Sequence, residues 1–290
     1  MWGDFFFLGL LDRSYRQVRH VCSQNRMSHF IDAINLQTMR DIGVVAEYGH
    51  SESLLPHEKA ALEMVAGEVR GGTILDIGVG GGRTVRPLRN ISNDYLGIDY
   101  SPEMVAACKR RYPGVRFSLA DARALTNTPD GSIALAVFSC NGISMVSHPD
   151  RLRILREVYR VLRPGGTFVF STYNLNSPEA TAGFRFPELS LSANPLRMLV
   201  RLGRFTVDTV ISLVRRAQHI RHEVRMADYA MVNDRCHNYG VMLYYTTLTN
   251  QRCQLEAVGF TGDAVAFDCD GRRISSDTTL DSMALIARKA

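Results

Sequence analysis

The chain has 290 residues, 46% of them hydrophobic and 22% charged. That balance excludes a disordered chain, a collagen and a disulfide-stapled mini-protein. Thirty-four Lys and Arg against 29 Asp and Glu leave a formal net charge of +5, enough to permit an anionic partner but too thin to demand nucleic acid. The six cysteines contain no C-x-x-C pair. They offer neither a disulfide framework nor a zinc spacing, and are expected as reduced, mostly buried thiols of a cytoplasmic protein.

The apolar run Phe5 to Leu11 lies between Asp4 and Asp12. It lacks the basic lead-in and small-residue cleavage site of a signal peptide, and no membrane-spanning run follows. Phe30, Ile31, Ile34 and Met39 recur at helical spacing, so residues 1–69 are predicted to form an N-terminal helical extension. Ser53 to Glu58 reads as a helix entry, with Pro56 near the first turn. The helix over 57–69 would turn Ala60, Ala61, Met64, Val65 and Val69 to a core.

From Thr73 the pattern changes. A buried strand over 73–77 meets a Gly-rich loop. Then come a helix over 83–90, strand 95–99, helix 102–111, strand 115–119, strand 133–139, helix 149–162 and strand 167–172. Alternation of this kind predicts an α/β fold, a doubly wound and mostly parallel sheet covered on both faces. It stops over 175–235, where Pro178, Pro187 and Pro195 precede a helical stretch with Leu196, Leu199, Val200, Val207, Val210, Ile211 and Val214 on one face. That segment is predicted to be a helical cap inserted after the fifth strand. The core would resume over 236–290 with a sixth strand at 241–245, a helix at 251–258 and closing strands at 264–267 and 282–287.

The first strand ends in Asp76-Ile77-Gly78-Val79-Gly80-Gly81-Gly82-Arg83. Glycines at 78, 80 and 82 let the backbone turn sharply and approach a ligand, and the following helix offers free N–H groups. A dinucleotide fingerprint would need its third glycine at position 83, which is Arg. Asp99 ends the second strand, where an acid reaches ribose hydroxyls. Asp121-Ala122 follows the third strand, where an acid can accept from an exocyclic amine.

Four segments together resemble the class I S-adenosylmethionine-dependent methyltransferases: Ile74–Arg83, Leu96–Met104, Leu119–Arg123 and the Pro-Gly-Gly turn within Val161–Thr167. The resemblance covers 70–175 strongly and 235–290 loosely. It implies a seven-stranded sheet of order 3-2-1-4-5-7-6 with the seventh strand antiparallel, and S-adenosylmethionine as cofactor. It also implies a cofactor site made of the loop from Asp76 through Gly78, Gly80 and Gly82, with Asp99 on the ribose and Asp121 and Ala122 at the adenine. Tyr100 and Met104 would pack on the adenosine, and Ser139 would sit beside the methyl group.

Methyl transfer is an in-line displacement in which the protein mainly positions the acceptor, and a base is needed only when the acceptor carries a proton. The fourth strand ends Ser139-Cys140-Asn141-Gly142, without the N/D-P-P-Y/F turn of family members that methylate nucleobase or glutamine amino groups. Candidates to orient the acceptor or take its proton are Asn141, Tyr173, His148, His237 and Tyr244. His219 and His222 lack the i, i+4 spacing of a helical metal pair, and no metal is expected. Seven arginines fall between 197 and 225 against Asp208 and Glu223. They suggest a clasp for an acceptor carboxylate or contact with an anionic membrane surface. The reading is methyl transfer to a small molecule, amino-acid-like or carboxylate-bearing, with the alternatives of an RNA or protein methyltransferase and of a non-catalytic cofactor-binding subunit. The attacking atom and the oligomeric state stay open.

Overall fold

A computed structural model describes residues 26–50 and 53–290. Of the helical extension expected over 1–69, residues 1–25 lie outside the described residues. The described part holds three helices, α1 over 26–39, α2 (Ile42–His50) and α3 (Pro56–Val69).

The sheet begins with β1 (Ile74–Ile77), which lies parallel between β2 (Tyr95–Asp99) and β4 (Ile133–Phe138); Asp76 pairs with Gly97 on one side and Val137 on the other. β3 (Phe117–Leu119) adds to β2, and β5 (Leu162–Asn174) adds to β4. β1 and β4 are apolar at nearly every position because helices cover both faces. One face carries α3, α4 (Val85–Ile91) and α5 (Pro102–Arg111), through Leu62, Val65, Leu88 and Val105. The other carries α6 (His148–Val161) and α9 (Leu248–Val258), through Ile154, Leu155, Val158 and Leu255.

The sheet closes with β9 (Val265–Asp268), the short edge strand β10 (Arg273–Ile274) and β11 (Ser282–Arg288). β11 runs antiparallel between β5 and β9, with Leu285 opposite Phe170 and Ala266. The core order is therefore β3-β2-β1-β4-β5-β11-β9, the expected order with its reversed strand. The chain reaches it differently. The strand expected as sixth at 241–245 is β8 (Val241–Thr246), which lies outside that row. β8 pairs in parallel only with Tyr173 and Asn174 at the tip of β5, and antiparallel along its length with β7 (Tyr229–Asp234); β6 (Val224–Arg225) pairs with β7. All six β8 residues are buried, and that reads in sequence like a central strand.

The segment after β5 is not wholly helical, because its last third supplies β6 and β7. Its main element is α7 (Pro195–His219), capped by the Asn194 side chain on the N–H groups of Leu196 and Arg197. A short element, α8 (Cys236–Tyr239), joins β7 to β8.

α1 is fastened over the top of this assembly by a buried asparagine. Asn35 donates to the carbonyls of Met145 (2.6 Å) and Met242 (2.9 Å) and accepts from the Met242 N–H (2.8 Å). The Thr38 hydroxyl donates to the Gly240 carbonyl at 2.6 Å.

Candidate active site

The Gly-rich loop leaves β1 with Gly78 at φ +64° and Gly80 at φ +52°. A Cβ on Gly78 would stand 2.6 Å from the Phe138 ring, so this position needs glycine for both conformation and space. Asp99, buried at the end of β2, accepts the Gly80 N–H at 2.9 Å and the Ser101 N–H at 2.8 Å. Burial pushes its carboxyl above the ordinary range, against the lowering effect of these backbone donors. The carboxylate ties the loop to β2 and has lone pairs left over.

These residues open onto an inner cavity. Gly78, Gly80, Asp99, Tyr100, Met104, Asp121, Ala122 and Ser139 all line it. Asp76 and Gly82, expected with them, do not. Asp76 turns into the core, where Thr84 (2.5 Å) and Tyr95 (2.7 Å) donate their hydroxyls to it and burial raises its carboxyl to about 6. Gly82 lies under Tyr112, whose ring would be 2.6 Å from an added Cβ. Both shape the loop from behind.

Asp121 is held by Arg123, which donates to both carboxylate oxygens and also reaches Asp32 of α1 and Asp150 of α6. Burial would raise Asp121, but the hydrogen bonds and charge of Arg123 outweigh it and keep the carboxyl below its usual value.

At the end of β4, Cys140 (φ 52°) and Asn141 (φ 55°) are both left-handed without being glycine. Such strain persists where surroundings over-determine it. Here the Cys140 N–H donates to Glu58 at 2.6 Å and the Asn141 N–H donates to the Ser171 hydroxyl at 2.8 Å. Glu58 also receives both terminal nitrogens of Arg83, at 2.6 and 3.0 Å, and the Leu55 N–H at 3.0 Å.

The candidates for chemistry separate cleanly. Asn141, Tyr173 and His237 line the inner cavity. His148 and Tyr244 do not. The His148 Nδ1 meets the Tyr244 hydroxyl at 2.8 Å, and the His148 ring stacks on Tyr229 at 4.3 Å, in a packed cluster behind β8. Strand alternation decides this, because Tyr245 points to the other face and stacks on Tyr173 at 5.2 Å. Burial holds Tyr173 far above the ordinary phenol range and pushes His237 below the ordinary imidazole range. Tyr173 therefore keeps its proton near neutrality while His237 is neutral and able to accept one.

His237, Asn238 and Tyr239 are three successive left-handed residues, held from α7 by Arg215 on the His237 carbonyl (2.8 Å), Asp208 on the Asn238 amide (3.2 Å) and His219 on the Tyr239 carbonyl (3.1 Å). A second, larger cavity lies outside this turn, lined among others by Asp41, Glu47, Arg83, Arg215, Arg235 and His237; Gly78, Gly80, Tyr48, Cys140 and Cys236 border both cavities. The expected clasp of cap arginines is thus reduced to Arg215. Arg216 binds Glu223 and the Asn233 carbonyl, Arg225 binds the Ala180 carbonyl, and Arg201 binds the carbonyls of Ser190 and Leu191.

Sequence reasoning missed Met39, Tyr48, Cys236, Asp32 and Arg123 as lining residues. Arg123 could have been found, since it sits two residues from Asp121; the α1–α2 residues carry no local signal. The thiols are also less buried than expected: among the described cysteines Cys108 is buried, while Cys140, Cys236 and Cys253 are exposed. Cys140 and Cys236 are exposed to the cavity and enclosed by protein, and that enclosure pushes both thiols up.

The site suits an adenosyl sulfonium ligand. It offers a glycine cradle and an acid at each of two strand ends. It also holds two buried polar atoms with no partner, Tyr100 Oη and Asn141 Oδ1, on residues that line the cavity. Residues 74–166 match a family model described as a methyltransferase domain. A probable S-adenosylmethionine-dependent methyltransferase of Mycolicibacterium smegmatis is 27% identical over 155 residues, which is 52% of this chain and 58% of that protein. A demethylmenaquinone methyltransferase of Renibacterium salmoninarum is 31% identical over 108 residues, 37% of this chain and 44% of that protein. The solved structure of the CcbJ methyltransferase from Streptomyces caelestis shares the fold, with a TM-score of 0.58 at 17% identity over 87% of this chain and 98% of that one. The chain spans about half the length of the curated relatives it matches. It carries a class I S-adenosylmethionine-dependent methyltransferase domain. S-adenosylmethionine is the cofactor of that class.

Proposed function

We propose that this protein transfers a methyl group from S-adenosylmethionine to a small molecule seated in the outer cavity. The observation that carries the reading is the junction of the two cavities. Gly78, Gly80, Cys140 and His237 border both, so a ligand in the inner one meets a ligand in the outer one there. When bound, the cofactor supplies a methyl carbon already activated by its sulfonium. Asp99 accepts from the ribose hydroxyls, and the Asp121–Arg123 pair with the Ala122 backbone frames the adenine. Asn141 and Tyr173 line the inner cavity, where a buried phenol that keeps its proton orients by hydrogen bonding. His237 is the residue placed to take a proton from a protonated acceptor. The strained 237–239 turn is tied to α7 by three bonds, and the one at His237 goes to its carbonyl and not to the imidazole.

Small-molecule methyltransferases among the relatives, such as the demethylmenaquinone enzyme, support this acceptor class. Titration calorimetry tests the cofactor half. S-adenosylhomocysteine is expected to bind, and Asp99→Ala to weaken it by about 1.5–3 kcal/mol, the range for losing a hydrogen bond to a charged group. Unchanged affinity in that variant, or no binding by the wild type, defeats the reading.

A further inference from the structure

α7 sits on the protein the wrong way round for a helix of a globular domain. Such a helix normally turns its apolar stripe to the core and its charges to water. In α7 the charged and hydroxyl side packs inward: Asp208, Arg215, Arg216 and His219 make the bonds to the 233–239 region already described, and Ser212 is the one residue of the helix that is buried. Leu196, Leu199, Val200, Leu202, Val207, Val210, Leu213 and Val214 point away, each between 42% and 71% exposed. Contiguous apolar surface of this extent marks a site of contact. With 25 residues the helix is about 37 Å long.

The charges name the partner. Arg197 and Arg204, seven residues apart, lie on one flank of the apolar stripe at 3.6 residues per turn. Arg197 and Arg204 are exposed and have no salt-bridge partner among the described residues. An apolar face bordered by a basic margin is the pattern of a helix lying in the plane of an anionic bilayer, with side chains among the acyl chains and guanidinium groups at the headgroups. A second copy docking face to face would bring two such basic margins together, which disfavours that occupant. No described helix is long and apolar enough to cross a membrane, so the contact is one of lying on the surface.

We propose that α7 docks this protein on an anionic lipid surface. Ile211, Arg215, Gln218 and His219 of the same helix line the outer cavity, so docking would hold that cavity beside the headgroup layer. The proposal stands apart from the methyl-transfer reading, because lipid binding and cofactor binding are measured separately.

The test is co-sedimentation of the full chain with vesicles. Binding is expected to vesicles of equal parts phosphatidylglycerol and phosphatidylcholine, to weaken with added salt, and to be far weaker on phosphatidylcholine alone. Leu199→Glu combined with Val210→Glu, both exposed and so harmless to folding, should reduce binding roughly a hundredfold. Arg197→Glu combined with Arg204→Glu should reduce it roughly tenfold, on anionic vesicles only. Circular dichroism and S-adenosylhomocysteine affinity should be unchanged in both. The proposal is overturned by a wild type that stays in the supernatant, by a Leu199/Val210 variant that binds like wild type, or by binding that appears only after residues 1–25 are removed. The last would assign the face to the chain's own N-terminal segment. Self-association without vesicle binding, lost in the Leu199/Val210 variant, would assign it to a second copy and overturn the proposal equally.

Discussion

Arg83 and Glu58 meet beneath the Gly-rich loop through two parallel hydrogen bonds, with side chains only 11% and 4% exposed. Burial alone would raise the Glu58 carboxyl, but Arg83 and the N–H groups of Cys140 and Leu55 hold it below the ordinary glutamate value. The pair joins three elements that are distant in sequence: the entry of α3, the end of the loop and the strained turn after β4. Glu58→Ala leaves a buried guanidinium unpaired and is expected to cost about 3–5 kcal/mol, read as a lower urea midpoint at unchanged slope. Glu58→Gln keeps acceptor and shape and should cost less. The sign of the pH effect follows from the lowered value. The stabilisation is complete above the unfolded glutamate value of 4.5 and is lost as pH falls through the lower folded one. Glu58→Gln should flatten that acid limb, and an acid limb identical to wild type would contradict the account.

Gly81 makes a different demand from Gly78. Its φ is not positive, yet a Cβ would lie 2.3 Å from the backbone carbonyl of Tyr48. Space, not conformation, excludes a side chain there, and the obstacle is main chain that cannot rotate away. Gly81→Ala should displace α2, cost about 1–3 kcal/mol and speed proteolytic cleavage within residues 40–50. A digestion rate equal to wild type would show that α2 does not rest on the loop.

The two histidines named in sequence should part company in experiment. With an acceptor in hand, turnover should rise with pH through a midpoint below the ordinary histidine value of 6.5 and then level, because His237 is lowered by burial and must be neutral to take a proton. His237→Ala should remove that limb. His148→Phe should leave both the limb and cofactor affinity intact while lowering stability by about 1 kcal/mol through loss of its bond to Tyr244. A His148 variant that loses the pH limb would reverse the assignment.

The parallel core was readable because its signals are local. Short apolar runs, glycine spacing and an acid at the ends of the second and third strands are all written within a few residues of one another; Asp99 and Asp121 fall on the cavity as those runs imply, and Ser139 falls there as the family resemblance implies. What failed to show was set by contacts between distant segments. β8 is as apolar as a central strand, and only its partner β7 reveals that it belongs to an appended ribbon. Tyr244 and Tyr245 are neighbours whose roles depend on which face of that ribbon meets Tyr173. Met39 and Tyr48 reach the cavity from helices whose sequence shows only amphipathic spacing. The orientation of α7 was hidden for the opposite reason: its pattern is strong, but a pattern gives a stripe and not the side on which the stripe is laid.

Asn35 reaches across 207 residues to Met242, and that reach bears on the wall of the site. Met39 and Tyr48 wall the inner cavity from α1 and α2. Lifting that wall means parting three bonds of a buried amide and the Thr38 bond to Gly240 together. The residues that line the cavity and the residue that pins its wall are thus different ones: Asp99 and its neighbours face the cavity, whereas Asn35, which does not line it, ties the helix above to the β8 backbone.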